Sequence, residues 1–296
     1  MLLKLPTAPT RLLATTLAIA ATLAACRNDP APVSPAAQVV ATPQRSSAAA
    51  GGPIEVEYTI TKRAGGPNIP ADAWLFVHMV DASGTLLWTD DHQPAAPSAG
   101  AGDVSVVYRR TMFVPRTTPT GRMRIEAGLF SRDDGARIPT ATGNPATASF
   151  DVEPDSDALF VVFGDGWHAA ERVPQQQANE WRWSKGDARL SFRHPRRDAQ
   201  LTMEVDQPVN AVGVQTVELR AGSDLLATLT VEPGVRRIHT ISLPDTRMGS
   251  GPMVELSLHV QPTFVPAHMP NLTSSDTREL GVRVFNVHVG AGRRAP

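Results

Sequence analysis

The stretch Ile54-Glu55-Val56-Glu57-Tyr58-Thr59-Ile60 alternates between apolar and polar positions from end to end. Successive side chains of a β-strand point to opposite faces, so a period of two is typical of a strand with one buried face and one face in water. The stretch therefore predicts a half-buried strand and points to an all-β fold.

The chain that follows repeats this pattern of short strands separated by turns. Residues 73–80 are a nearly continuous apolar run, Asp81 to Gly84 is a turn, and residues 85–89 return as the second arm of a β-hairpin. Further strands are expected at residues 104–114, 121–130 and 146–152. Six or seven strands of this kind predict an immunoglobulin-like β-sandwich over residues 53–153.

A second set of apolar runs occupies residues 157–289. Strands are expected at residues 159–163, 188–192, 199–205, 212–220, 225–231, 236–243, 254–260 and 281–289. A polar loop separates the first of them from Trp181, and no segment has the period of a three-turn helix. The region predicts a second, jelly-roll-like sandwich.

Both regions carry patterns of known modules. In the first they are Phe76-Val77-His78-x-Val80-Asp81-x-x-Gly84, Asp90-Asp91-His92-x-Pro94, Val114-Pro115, Gly128-Leu129-Phe130 and Gly135-x-Arg137-Ile138-Pro139. This set covers about 80 residues and resembles a sandwich module of bacterial envelope proteins and of the ends of some membrane glycosyltransferases. The resemblance implies a fold and says little about activity.

The second region resembles the galactose-binding-like sandwiches of bacterial proteins of carbohydrate metabolism. The matching motifs are Asp165-Gly166-Trp167 with Glu171, Trp181-Arg182-Trp183-Ser184, Phe264-Val265-Pro266 and Asp276-x-Arg278-x-Leu280-Gly281-Val282. What this resemblance implies is a sugar-binding role.

Residues 1–25 have the layout of a secretory signal. Lys4 and Arg11 give a positive start, and an uncharged apolar run follows at residues 12–23. This run is shorter than the ~20 residues that a transmembrane helix needs, so a membrane span is the weaker alternative. Leu23-Ala24-Ala25-Cys26 resembles the bacterial lipobox, in which the cysteine is acylated and becomes the N-terminus.

Lipidation would make the lipid bilayer the partner of Cys26. The alternative is a plain signal with a free thiol, which is a liability in an oxidising compartment. The lipoprotein family carries a diacylglycerol thioether and an N-acyl chain such as palmitate, and two such signals give durable anchoring. By resemblance to the sorting rule of enterobacteria, Arg27 favours the outer membrane. The expected location is the cell envelope, on its periplasmic or cell-surface face.

The segment after Cys26 is rich in Ala, Pro and Ser and has few large apolar residues. Such a composition predicts a disordered linker over residues 26–52. Residues 290–296 are expected to be a loose tail.

Composition excludes some partners. The chain has 28 basic and 29 acidic residues, with no basic stripe, so nucleic acid is not expected. A single cysteine excludes a disulfide within the chain. No Gly-x-Ser-x-Gly elbow, His-Glu-x-x-His motif or phosphate loop occurs, so we expect no catalytic residue, no cofactor and no enzyme activity.

Three of the five tryptophans lie close together in the second region. The candidate ligand-binding residues are Trp167, His168, Glu171, Trp181, Arg182 and Trp183. Indole rings stack on sugar faces, which favours a sugar platform. The alternative is core packing, with Trp181 and Trp183 expected to point one inward and one outward, and Arg182 and Asp276 or Arg278 forming a structural ion pair.

Asp90-Asp91-His92, with His78 across the hairpin, suggests metal ligands. Neighbours on an extended chain point to opposite faces, however, so a loop that caps its own backbone is the favoured interpretation and no metal site is predicted.

Two functions remain open. One is a lipoprotein that binds a cell-envelope glycan through the second sandwich. The other is a structural or assembly lipoprotein that binds another envelope protein through sandwich faces or edges.

Overall fold

The computed structural model describes residues 35–94, 104–141, 146–154, 159–173, 176–208 and 212–291, and over these ranges the chain is all-β, as predicted. The first strands are β1 (Ala37–Pro43), β2 (Ser47–Ala49), β3 (Pro53–Lys62), β4 (Ala73–Val80), β5 (Leu86–Thr89), β6 (Val104–Phe113), β7 (Gly121–Ser131), β8 (Arg137–Ile138) and β9 (Ala146–Glu153). The predicted signal peptide and Cys26 lie outside the described residues.

The remaining strands are β10 (Val162–Phe163), β11 (Glu171–Val173), β12 (Gln176–Trp183), β13 (Asp187–Arg193), β14 (Ala199–Asp206), β15 (Gln215–Ala221), β16 (Asp224–Val231), β17 (Arg237–Leu243), β18 (Met253–Gln261) and β19 (Arg283–Ala291). Two short 3-10 turns span Asp245–Arg247 and Pro266–His268. No helix in the described ranges is long and apolar enough to cross a membrane.

The first sandwich encloses one apolar core between two sheets. One sheet has the order β1-β3-β6, and the other has the order β2-β9-β7-β4-β5 with β8 beside β7. In β3, Ile54, Val56, Tyr58 and Ile60 are buried while the residues between them are half-exposed. The alternation that predicted this strand is therefore the alternation between core and solvent.

The predicted disordered linker is wrong over β1 and β2. β1 pairs antiparallel with β3, from Ala37 opposite Lys62 to Pro43 opposite Val56, and β2 pairs parallel with β9. Ala37, Val39 and Ala41 are buried. Small apolar residues at alternate positions fill the space beside a larger strand, and backbone pairing with β3 offsets the entropy of ordering, which composition alone does not reveal.

The second sandwich consists of two five-stranded antiparallel sheets. Their orders are β10-β13-β18-β15-β16 and β11-β12-β19-β14-β17. Both sheets contribute to one core, whose largest members include Leu190, Phe192, Leu201, Met203 and Leu256. Most of the polar loop expected before Trp181 is instead two strands, β11 and β12. The sequence pattern did not predict them because they carry few apolar residues, so no alternation of buried positions marks them.

Candidate ligand-binding site

β19 places aromatic and charged side chains on the outer face of its sheet. Val282, beside its start, and Val284 point into the core, whereas Arg283 and Phe285 are half-buried on the opposite face. Trp183 of β12 lies directly opposite Arg283 in the antiparallel register. Side chains of such a cross-strand pair share a face.

The two tryptophans of β12 therefore point the same way. Trp183 is buried, with its ring edge-on to Phe264 at 5.8 Å and Leu280 in the same small cluster. Trp181 packs against this cluster and tilts onto Phe285 at 5.9 Å. The expectation that one points inward and the other outward is wrong, because residues two apart on a strand lie on the same face.

Arginines lie between these rings. The guanidinium carbon of Arg283 is 5.3 Å from the Trp181 ring, 5.7 Å from Trp183 and 5.3 Å from Phe285, and that of Arg236 is 3.5 Å from Phe285. We call these five side chains the arginine–aromatic row. Such cation–π contacts hold the rings in fixed positions on the outer face.

Carboxylates fix both arginines of the row. Arg283 donates two hydrogen bonds to Asp206, of 2.7 and 2.8 Å, and Arg236 lies 2.6 Å from a carboxylate oxygen of Glu204. These two carboxylates neutralise the charges of the arginines and hold the row rigid.

A cavity of about 400 Å³ opens beside the row. Its lining consists of Arg116, Leu159, Phe160, Val161, Phe163, Glu180, Trp181, Arg182, Val284, Phe285, Asn286, Val287 and His288. We call it the junction cavity, because Arg116 belongs to the first sandwich and the other residues belong to the second. Phe160 stands at its rim with 84% of its surface exposed.

The junction cavity occupies a gap in the sheet. Among the described residues, β12 pairs with β19 only at Arg283 and Val284, and Leu159 pairs with Val289 farther along. Between these points the ladder on this side of β19 is interrupted. The indole nitrogen of Trp181 is buried and has no hydrogen-bond partner in the described part of the chain. The cavity thus combines aromatic walls with the charged side chains of Glu180 and Arg182.

Two of the six predicted site residues line this cavity. They are Trp181 and Arg182, and the guanidinium of Arg182 lies 5.1 Å from the ring of Phe163. Among the described residues, Arg182 donates one hydrogen bond, a long one of 3.4 Å, to the carbonyl of His168. Its predicted ion pair with Asp276 or Arg278 does not form.

Trp167 and His168 lie beside the cavity and make structural contacts. The Trp167 indole donates to the carbonyl of Arg189 at 2.7 Å, and its ring is edge-on to Phe163 at 5.0 Å. Gly166, at φ +81°, allows this placement, because a Cβ there would overlap the backbone of Asp187. The Nε2–H of His168 donates to the carbonyl of Glu279 at 2.8 Å.

Glu171 is held by an ion pair. It accepts a 2.7 Å hydrogen bond from Arg278, which also binds Asp276. The Arg278 hydrogen bonds lower the pKa of Asp276 to about 2. Glu171 and Trp183 are therefore committed to the fold, and the structure does not gather the six residues into one site.

Sequence reasoning missed most of the lining. The sequence pattern assigns Phe160, Phe163 and Phe285 to strands without indicating a site. It gives no signal for Glu180 or Arg116. The available signal was an aromatic residue at an outward-facing strand position, as at Phe285. Which outward-facing residues become neighbours depends on how the strands pair, and the local sequence does not determine that pairing.

The suspected metal residues of the first sandwich form a different kind of cluster. The Nδ1–H of His92 donates to the carbonyl of Asp90 at 2.7 Å, and its Nε2 accepts from the Tyr108 hydroxyl at 2.8 Å. Asp90 binds Arg110 at 2.6 and 3.1 Å. Burial lowers the pKa of His92.

The neighbouring Asp91 also serves the backbone. Its carboxylate accepts from the amide of Val77 at 2.8 Å and lies 3.8 Å from His78. No group of three possible metal ligands occurs in the described residues. Asp90, Asp91 and His92 therefore act in loop and hairpin contacts.

Comparison with known proteins gives neither a family nor a relative. No protein-family model and no curated protein matches the chain. Among solved structures, the chain is similar to the CARDB domain of a Pyrococcus furiosus protein, with 20% identity, 40% of this chain and 90% of that chain covered, and a TM-score of 0.27.

Two further similar structures come from Bacteroides uniformis and Paenibacillus barcinonensis. One is SGBP-B from a xyloglucan utilization locus in Bacteroides uniformis, with 10% identity, 87% and 100% coverage and a TM-score of 0.29. The other is the CBM22 tandem of Paenibacillus barcinonensis Xyn10C, with 14% identity, 82% and 79% coverage and a TM-score of 0.26. TM-scores this low carry no inference about what the present chain binds.

Proposed function

We propose that this protein is a non-enzymatic envelope lipoprotein that is anchored through acylated Cys26 and binds a glycan in the junction cavity. The observation that carries the glycan proposal is the cavity itself. It combines four aromatic rings, those of Phe160, Phe163, Trp181 and Phe285, with the charged groups of Glu180 and Arg182.

Saccharides match this combination. Their C–H faces stack on aromatic rings, and their hydroxyls need hydrogen-bond donors and acceptors in fixed positions. The guanidinium of Arg182 can donate, and the exposed carboxylate of Glu180 can accept. Exposure of Phe160 costs free energy in the free protein that a stacked ring would recover in part.

Titration of the detergent-solubilised chain with cell-envelope oligosaccharides tests the proposal. We expect a saturable change in tryptophan fluorescence and a binding isotherm by calorimetry. Trp181→Ala should weaken binding at least tenfold, because it removes a stacking surface.

Trp74→Ala is the matched control. Trp74 is also half-buried and lies under an arginine, with the guanidinium carbon of Arg132 4.1 Å from its ring, but it belongs to the first sandwich. Binding should survive this change. Loss of binding in both variants, or no binding by the unchanged protein, would rule out the junction cavity as a glycan site.

The anchor is tested separately. Cys26→Ala should move the protein from the membrane fraction to the soluble fraction and abolish incorporation of labelled palmitate. Retention in the membrane after this change would argue against lipidation.

A structural or assembly role is the second candidate. It is favoured by β6, which ends its sheet among the described strands and exposes Val107 by 58%. A strand in this position can accept a strand from another protein. Cross-linking from residue 107 in intact cells should capture an envelope protein, and Val107→Lys should prevent the capture, whereas the glycan proposal expects no such dependence.

A further inference from the structure

The arginines of the second sandwich differ in whether a carboxylate neutralises them. Six of the twelve described are paired within 3.2 Å, namely Arg189 with Glu255, Arg220 with Glu218, Arg236 with Glu204, Arg237 with Glu232, Arg278 with Asp276 and Glu171, and Arg283 with Asp206. Arg182 belongs to the other six, and of these it is the one that lines the junction cavity. Among the described residues no carboxylate lies within ion-pair distance of it, although it faces the junction cavity.

Arg116 contributes a second such group from the first sandwich. It lines the same cavity, is exposed, and has no carboxylate partner in the ranges that the structure describes. The cavity therefore collects two guanidinium groups whose charge the fold does not use. Glu180 is the single carboxylate of the lining, so the fixed charge there is positive.

The surroundings of the Arg182 guanidinium favour binding of an anion over hydration by water alone. The Phe163 ring covers one side of its guanidinium at 5.1 Å, and Trp181 lines the cavity beside it. A guanidinium with an apolar neighbour is less well hydrated and keeps its planar fork of donors for a partner. Ion pairs formed in such partly desolvated places are stronger than those in open water.

Resting on the glycan function proposed above, we propose that the junction cavity selects an acidic saccharide. The ring of a uronic acid would stack on Trp181 or Phe160, its carboxylate would bind the guanidinium of Arg182 with Arg116 nearby, and its hydroxyls would reach Glu180.

Calorimetry with the full chain in detergent tests this selection. The probes are trimers of galacturonate and of glucuronate, the methyl esters of the same trimers, which keep the rings but lose the charge, and a sulfated galactose disaccharide. At 20 mM NaCl we expect at least one uronate trimer to bind tenfold or more tightly than its ester. Raising the salt to 300 mM should reduce that difference, because screening weakens exposed charge pairs.

Variants locate the effect. Arg182→Gln and Arg116→Gln should each reduce the preference for the acid over its ester about tenfold. Arg193→Gln is the matched control, since Arg193 is another exposed arginine without a carboxylate partner in the described chain, but it lies on β13 away from the cavity. If Arg182→Gln also displaces the Phe163 ring, Arg116→Gln still tests the contribution of positive charge in the cavity.

The outcomes separate the two proposals. Equal binding of acid and ester would leave the glycan function intact and overturn the acidic selection. Binding of the sulfated sugar alone would retain an anion site but overturn the carboxylate. Absence of binding by every saccharide, charged or neutral, would overturn both proposals.

Discussion

The two sandwiches use aromatic and ionisable side chains in opposite ways. In the first, Tyr58, His92 and Tyr108 lie ring to ring at centroid distances of 5.4 to 5.7 Å, and Asp90 and Arg110 close the cluster at the surface. In the second, Trp181, Trp183 and Phe285 lie outside the main core, with Arg236 and Arg283 between them.

This difference indicates which of the two sandwiches has side chains available for binding a ligand. In the first sandwich the histidine and its tyrosine and aspartate neighbours are joined by hydrogen bonds, so a ligand would have to break existing contacts. In the second, the arginine–aromatic row is fixed by its own ion pairs, and the cavity beside it retains groups that the fold leaves unused.

The largest expected effect compares the arginine–aspartate pairs of the two regions. Arg283→Ala should destabilise the protein by about 3 kcal/mol, because it leaves the largely buried Asp206 without its partner. Arg110→Ala should cost only about 1 kcal/mol, because the Arg110 side chain is 44% exposed and water can replace it at Asp90. Urea unfolding of both variants measures the difference, and equal losses would contradict the ranking by burial.

The second prediction concerns acid. Burial lowers the pKa of His92, so the unfolded chain takes up the proton first as the pH falls through about 6.5, the usual histidine value. Stability from this group is complete above that pH and is lost below it. His92→Gln should flatten the dependence of the unfolding free energy on pH between 7.5 and 5, by at most one proton in slope.

His239 provides the comparison in the second sandwich. Burial, with a contribution from Arg237, lowers its pKa as well, and the sign of the pH effect is the same. His239→Gln should therefore flatten the same profile. An unchanged profile in both variants would show that other groups control acid sensitivity.

The smallest expected effect concerns two tyrosines of the same cluster. The Tyr58 hydroxyl is buried without a partner among the described residues. Tyr58→Phe should stabilise the protein by about 1 kcal/mol, because an unpaired buried hydroxyl is costly. Tyr108→Phe is the counterpart and should destabilise it by about 1 kcal/mol, since it removes the hydrogen bond to His92. Thermal unfolding distinguishes the two, and destabilisation by both would mean that the Tyr58 hydroxyl is satisfied in solution.

Sequence patterns predicted strands well where burial alternates along large apolar residues, as in residues 54–60 and in the hairpin of residues 73–89. They missed β1, whose buried face consists mainly of alanines. They also missed β12, which is a strand because it pairs with neighbouring strands and not because of its own composition. The candidate site was predicted in part through Trp181 and Arg182. Arg116 could not be predicted, because it reaches the cavity only through the packing of distant segments.

The pairing of β1 with β3 also decides where this chain can be cut. A fragment that begins at residue 53, where the apolar pattern first becomes obvious, would lack β1 and leave one side of β3 uncovered along seven residues, 56–62. That strand is regular, rich in β-branched side chains and free of proline after its first position, which are features of self-association. Recombinant fragments should therefore start before Ala36, because shorter ones are expected to aggregate even though every residue of the apparent domain is present.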